Sequence, residues 1–332
     1  MARAFRPAPR LRASPPFHLS LMPLDPEVAQ QLAREAASAL PPRSERTLAQ
    51  TREFYRAAAS LSGPAPELAS VEDRTLDLPG RRLPLRVYRP TNGDAVPVVL
   101  YLHGGRFISG DFITHDPVCR QLAAAAGCIV AAVDYRLAPE HPFPAAVEDA
   151  SAAAQWINQN GAQVGGDGRW AMAGDSAGGN LAAAAALMLR DRGHALPQAL
   201  ALVYPMLDAT CSLPSHQTCG SGYGAGSEDM QAGYRLYLPT GADRSNPYVS
   251  PLFAESLAGL PPTFVLTAEY DSLRDEAEAF AQRLQQAGVA VTCRRYDGAI
   301  HGFFQMGGVI GLGRQAMQEV AHFLRESLHA WH

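Results

Sequence analysis

Ser176 lies in Gly174-Asp175-Ser176-Ala177-Gly178, where an apolar strand-like run, Trp170 to Ala173, meets an Ala-rich helical stretch, Ala177 to Arg190. A hydroxyl on such a strand-to-helix turn is held out as a nucleophile. Gly174 and Gly178 let strand and helix approach, and the helix amino terminus adds positive potential where an oxyanion would form. Serine attacks only when a base takes its proton and a third group orients the base. Of the ten histidines, His301 alone comes late, follows a strand-like segment (Val289 to Tyr296) and precedes the final helix; His322, His329 and His332 fall in or beyond that helix. Asp271 closely follows the apolar run Phe264 to Thr267, where a strand-end loop can aim a carboxylate at a histidine. Asp275 and Glu276 are rivals, but they sit in the first turn of the next helix, where carboxylates are favoured on electrostatic grounds alone. Ser176, Asp271 and His301 are therefore the candidate catalytic triad, in the order Ser, acid, His that this kind of turn requires.

A second glycine-rich loop, His103-Gly104-Gly105-Arg106, directly follows the run Val98 to Leu102. Acyl transfer needs backbone N–H groups aimed at the developing oxyanion, and a glycine loop beside the nucleophile can present them.

These residues need elements to hold them. Val98 to Leu102, Cys128 to Val133, Trp170 to Ala173, Leu200 to Tyr204 and Phe264 to Thr267 are short runs, apolar on both sides, and they alternate with helical stretches at Ala145 to Asn158, Ala177 to Arg190 and Leu273 to Gln286. That alternation predicts a mostly parallel sheet covered on both faces, with the chemistry gathered at the carboxyl ends of its strands. Alternating residues around Leu83, Leu85 and Val87 predict an antiparallel strand pair that opens the sheet. Small helices are expected between Asp25 and Ser60, and the Gly- and Ser-rich span from Asp208 to about Asp229 reads as a long loop belonging to a mobile cap.

The chain resembles the bacterial esterases that are similar to mammalian hormone-sensitive lipase. The blocks that carry the resemblance are HGG at 103 to 105, DYRLAPEHPFPAA at 134 to 146, GDSAGGNLA at 174 to 182, YDSLRDE at 270 to 276 and HGF at 301 to 303. It implies an α/β-hydrolase fold with an eight-stranded, mostly parallel sheet flanked by helices, a small helical cap, a small ester of short or medium acyl chain as substrate, and no cofactor or metal. Its expected division is an extension at 1–21, an amino-terminal cap at 22–65 and a catalytic domain at 66–332 with a cap insertion around 208–235. Ser176 would attack the ester carbonyl, His301 would carry the proton and Asp271 would orient His301. The backbone N–H groups of Gly104, Gly105, Arg106 and Ala177 would form the oxyanion hole, with His103, Gly174, Asp175 and Gly178 shaping the two loops. Asp175 would hydrogen-bond neighbouring loops, and Asp134, Arg136 and Glu140 would brace the site through buried charge pairs. Arg106 stands where most relatives carry glycine. It is expected to take an ordinary backbone conformation, with its side chain on the pocket rim or in solvent.

The bulk composition excludes other classes. A net charge of −4 and the absence of any basic run give no footprint for nucleic acid. All 28 cationic side chains are Arg, so Schiff-base chemistry, a Walker A lysine and a Ser-x-x-Lys pair are all excluded. The five cysteines show no C-x-x-C spacing and read mostly as buried small hydrophobes, reduced in a cytoplasm, although Cys211 and Cys219 lie close enough in sequence to pair. Residues 1 to 21 lack the apolar core of a secretory signal, and no stretch is long enough for a membrane span. Relatives that pair through an edge strand suggest a homodimer. Amide or formamide hydrolysis and deacetylation stay open to the same residues. A ligand receptor on this fold, which typically loses a triad member, is disfavoured because all three members are present.

Overall fold

The apolar runs become strands whose successive side chains enter two different cores. In a computed structural model, which describes residues 23–38, 41 and 43–329, the strands are β1 (Ser70–Leu78), β2 (Arg81–Arg89), β3 (Val96–Leu102), β4 (Ile129–Val133), β5 (Gly166–Asp175), β6 (Leu200–Val203), β7 (Thr263–Tyr270) and β8 (Val291–Ile300). Val98, Leu100 and Leu102 of β3 face one core and Val99 and Tyr101 the other; β4, β5 and β6 alternate in the same way. Period-two alternation with both sets buried is why these runs carry no polar face.

The strands form one sheet in the order β1-β2-β4-β3-β5-β6-β7-β8. β1 with β2 and β2 with β4 are antiparallel, and all other neighbours are parallel. The helices are α1 (Pro26–Ala36), α2 (Leu48–Ala58), α3 (Phe112–Ala126), α4 (Ala145–Asn160), α5 (Ala177–Asp191), α6 (Ser215–Thr218), α7 (Ser227–Tyr237), α8 (Arg274–Gln286) and α9 (Gly311–His329). α4, α5 and α8 cover one face of the sheet, and α3 and α9 the other. α5 is buried from Ala177 to Leu189, and its run of alanines lets it lie close against the strands behind Ser176.

Two expectations are corrected. α3 was not foreseen; Asp111 caps it by accepting from Ile113 and Thr114, and Gly127 ends it at φ 65°. The span 208–229 is not one irregular loop, because it contains α6 and the start of α7. Asp208 accepts from the N–H groups of Thr210 (2.7 Å) and Ser212 (3.2 Å), while the Ser215 hydroxyl donates to the Ser272 carbonyl at 2.6 Å. The five cysteines are free, four of them buried or half-buried and Cys293 exposed. The expected extension at 1–21 lies outside the described residues.

The amino-terminal segment is pinned to distant parts of the chain. The Asp25 N–H donates to the Gly298 carbonyl at 3.1 Å, Gly308 donates to the Leu61 carbonyl at 2.8 Å, and Val28 is fully buried in the core beneath α9. Arg52 of α2 donates to the Ile108 carbonyl at 2.9 Å and pairs with Glu140 at 2.7 Å.

Of the residues expected to brace the site through buried charge pairs, Arg136 does so and Glu140 does not. Glu140 is exposed, and Arg136 pairs with Asp149 of α4, a carboxylate with no exposed surface that also meets Arg81 of β2 at 2.6 Å. A buried carboxylate held by two guanidiniums ties α4 to β2 and to the loop after β4, and removing it strands both cations. Because both arginines keep about a third or less of their side-chain surface in water, Asp149→Ala should cost about 2 to 3 kcal/mol, less than a fully buried pair would. Urea denaturation would measure it, and a loss under about 0.5 kcal/mol would show that the pair does not hold α4.

Candidate active site

β5 ends and α5 begins with a single residue between them. That residue is Ser176, at φ 54° and ψ −117°, a left-handed conformation that a side chain adopts only when its surroundings hold it there. The flanking glycines are sterically required: a Cβ on Gly178 would collide with the Leu102 carbonyl, and one on Gly174 with the Gly178 carbonyl. β7 and β8 deliver the other two groups. His301 Nε2 lies 3.0 Å from Ser176 Oγ, and His301 Nδ1 lies 2.7 Å from Asp271 Oδ2. Asp271 Oδ1 accepts from the Leu273 N–H at 2.9 Å, which fixes the carboxylate plane. All three are buried, and Tyr204 lies against the imidazole at 4.6 Å between ring centres. The structure thus brings Ser176, Asp271 and His301 into a hydrogen-bonded chain suited to moving a proton from hydroxyl to imidazole.

Around the second loop the expected donors separate. The Gly104 N–H is already donated to Asp175 Oδ1 at 3.0 Å, with His115 Nε2 at 3.3 Å, which removes it from the oxyanion set. The N–H groups of Gly105, Arg106 and Ala177 meet no acceptor among the described residues and stay open to an oxyanion. Gly105 sits at φ 127°, where a Cβ would strike the Ser109 carbonyl. The corresponding expectation for Arg106 is overturned: its φ is +57°, followed by Phe107 at +66°. Its side chain is neither on the rim of the catalytic pocket nor in solvent. It is buried beneath α7, 3.2 Å from Asp229 Oδ1.

Asp175 accepts from the Tyr101 hydroxyl at 2.8 Å and from the Gly104 N–H, pairs with His115 at 3.2 Å and takes a further bond from Gln305. Burial pushes its carboxyl up, but His115 and the Tyr101 hydroxyl outweigh that and hold it below the ordinary carboxylate value. His103 stacks on Tyr135 at 4.2 Å and contacts the Gly104 carbonyl through Nδ1; burial lowers its pKa to about 4, so it is neutral. Asp134, with no arginine partner at ion-pair distance among the described residues, is pushed up to about 6 by burial. His115, Tyr101 and Gln305 were not foreseen, since each reaches Asp175 from a segment with no motif of its own.

Ser176 and His301 open into a cavity of about 60 Å³, walled by Arg43, Phe54 and Tyr55 from the amino-terminal segment and by Ala225, Gly302 and Met306. Beside it, the residues before α2 and the glycine-rich turn 220–226 enclose a wider crevice of about 630 Å³.

A family model described as the α/β-hydrolase fold matches residues 99–305. The chain is 37% identical over 318 residues to an ethyl acetate hydrolase of Pseudomonas putida, covering 92% of this chain and 100% of that protein. It is 40% identical over 272 residues to the carboxylesterase NlhH of Mycobacterium tuberculosis, covering 80% of this chain and 85% of that one. Among solved structures, a hyperthermophilic esterase from the archaeon Pyrobaculum calidifontis is similar with a TM-score of 0.87 at 42% identity, covering 92% of this chain and 99% of that one.

The rival carboxylates have other employment. Asp275 accepts from the Ser215 N–H at 2.9 Å and pairs with Arg274. Glu276, with no exposed surface, accepts from the N–H groups of Leu207 (2.6 Å) and Asp208 (3.2 Å) and meets His216 Nε2 at 3.0 Å. Burial raises its pKa from 4.5 to about 7, and His216 offsets only part of that. The folded value lies above the unfolded one, so between those limits the folded chain binds the extra proton and stability falls as pH rises. Glu276→Gln removes this titration. Between pH near 5 and pH near 7.5 the wild type should therefore lose roughly 2 kcal/mol more stability than the variant. Urea titrations at the two pH values would show it; parallel losses would mean that Glu276 does not titrate there.

Proposed function

The chain belongs to the α/β-hydrolase family, in its hormone-sensitive-lipase-like branch, and is a carboxylic ester hydrolase; on that premise we propose that it works through Ser176 as a covalent nucleophile on esters of short acyl chains. The observation that carries the proposal is the hydrogen-bonded sequence Ser176 Oγ, His301 Nε2, His301 Nδ1 and Asp271 Oδ2, at 3.0 and 2.7 Å. With the Nδ1 proton held by Asp271, the Nε2 lone pair faces the serine hydroxyl and accepts its proton as Oγ attacks the ester carbonyl. Negative charge grows on the carbonyl oxygen, where the N–H groups of Gly105, Arg106 and Ala177 stabilise it together with the α5 amino terminus. Collapse expels the alcohol, which takes its proton from His301, and leaves the acyl group on Ser176. Water then attacks the acyl-enzyme with His301 as base, releasing the acid and restoring the hydroxyl.

Short acyl chains are favoured by the small cavity of about 60 Å³ beside Ser176, where Phe54, Tyr55, Tyr204 and Met306 crowd the space next to the nucleophile. The relative from Pseudomonas putida, an ethyl acetate hydrolase, supports the same size class. Residues 22–65 and the segment 208–235 would act together as the cap, because both contribute walls to that cavity and to the crevice beside it.

Ser176→Ala should lower turnover of p-nitrophenyl acetate by at least about a thousandfold with an unchanged circular dichroism spectrum. Near-normal turnover by the pure variant would end the serine mechanism. Asp271→Asn should cost about a thousandfold or more, while Asp275→Asn stays within about threefold; the reverse ranking would move the acid to Asp275. Across p-nitrophenyl esters, kcat/KM for acetyl and butyryl groups should exceed that for decanoyl by at least about tenfold. A preference for decanoyl would show that the cap does not bound the acyl site.

A further inference from the structure

Arg106 and Phe107 are two successive non-glycine residues in left-handed backbone conformation, at φ 57° and 66°, inside the loop that presents the oxyanion donors. L-residues avoid this region, and such a pair persists only where neighbouring structure over-determines it. α7 supplies that structure from a single face. Tyr237 stacks on the Phe107 ring at 3.9 Å and 8°, with Tyr234 beside it at 5.7 Å. Gly233 gives Arg106 its space: a Cβ there would lie 2.7 Å from Arg106 Cβ and 3.0 Å from the Arg106 carbonyl oxygen. One turn earlier, Asp229 Oδ1 meets the Arg106 guanidinium at 3.2 Å, the two side chains 11% and 10% exposed. The second oxygen of Asp229 accepts from the Gly226 N–H at 3.0 Å, so the carboxylate cannot swing away. The carboxyl end of α7 is tied down as well, since the Tyr237 carbonyl accepts from the Phe143 N–H at 2.8 Å.

We propose that Asp229 is a positioning residue, which through Arg106 and the α7 face holds the oxyanion loop in the conformation that aims its N–H groups at the substrate. The proposal rests on the oxyanion-hole role given to this loop above. The direction of the Arg106 N–H is set by the backbone torsions around it, so relaxation of Arg106 to an ordinary negative φ would turn a donor away from the reacting carbonyl. A guanidinium in place of a hydrogen at this position makes the strain and also provides the handle by which Asp229 holds it. Arg43, Arg46 and Arg235 line one small cavity with Arg106, and Glu35 and Glu228 already pair with Arg43 and Arg235, so loss of the Asp229 charge removes the carboxylate that holds the Arg106 guanidinium among these cations.

The test is steady-state kinetics on p-nitrophenyl acetate in two backgrounds. In the wild-type background, Asp229→Asn keeps an oxygen for the Gly226 N–H but loses the charge. It should lower kcat by about tenfold or more with KM within about twofold, a smaller effect than outright loss of a donor. Asp229→Glu should recover more than half of the lost kcat. In an Arg106→Gly background the positive φ needs no clamp, so adding Asp229→Asn should change kcat by less than about twofold relative to Arg106→Gly itself. Equal losses in both backgrounds would show that Asp229 merely builds α7, and a wild-type kcat in Asp229→Asn would show that it positions nothing; either result overturns the proposal. If Asp229→Asn does not fold, Asp229→Ser takes its place in both backgrounds under the same thresholds, because it too removes the charge that holds Arg106 and leaves Gly233 untouched. Turnover that survives Ser176→Ala would defeat the underlying mechanism, whereas failure of the clamp leaves Ser176-dependent turnover intact.

Discussion

Asp175 has no exposed surface, and an ionised carboxylate in that position is tolerated only if donors surround it. Its partners come from four directions: the Tyr101 hydroxyl from the middle of the sheet, the Gly104 N–H from the glycine loop, His115 from α3 and Gln305 from the turn that follows His301. Ser176 is the next residue along the chain. The charge requirement of one side chain therefore sets the relative positions of nucleophile, oxyanion loop and the turn carrying the base, none of which are neighbours in sequence. The link continues outward, because His115 Nδ1 lies 2.7 Å from the Thr114 hydroxyl, which in turn bonds to the α3 cap at Asp111. α3 is thereby linked to the residue beside the serine through two hydrogen bonds and the contact of His115 with Asp175.

What could be read in the sequence was whatever depends on near neighbours. Val98 to Leu102 is apolar throughout because both of its faces are buried, and Gly174 and Gly178 are glycines because strand and helix backbones touch there. Asp271 could be ranked above Asp275 and Glu276 by its place just beyond a strand, and it is the carboxylate that meets His301. Partners set by the tertiary fold were not legible. Arg136 was expected in a buried charge pair, but nothing nearby names its partner, Asp149, thirteen residues on. The backbone torsion of Arg106 is decided by α7, whose Asp229 is 123 residues away, so a local rule assigned it an ordinary conformation. Gly104 was counted as an oxyanion donor because nothing in its neighbourhood announces that Asp175, 71 residues later, already takes its N–H. α3 escaped notice for a different reason: Pro117 lies inside it, and its weak polar face leaves little 3.6-residue periodicity to detect.

The surroundings of His301 are largely aromatic and closed. Tyr204 lies against its ring, Phe303 lies beside Tyr204 at 6.0 Å, and Phe54 and Tyr55 line the same cavity. Hydrogen bonds in such a place act across a low effective dielectric, so the Asp271 carboxylate and the loop N–H groups exert more influence on a developing charge than they would in water.

The attachment of the amino-terminal segment bears on how the chain is made. Asp25 bonds to Gly298, Glu27 accepts from Gly311 across 284 residues, and Ser62 donates to the Gln305 carbonyl across 243. Every one of these partners lies in β8 or beyond it, so α1 and the turn after α2 wait, undocked, until the rest of the sheet has been synthesised behind them. α1, the first of the described helices, is thereby among the last to find its place. Until it does, the surface that Val28 covers in the finished molecule stays open to chaperones or to other nascent chains.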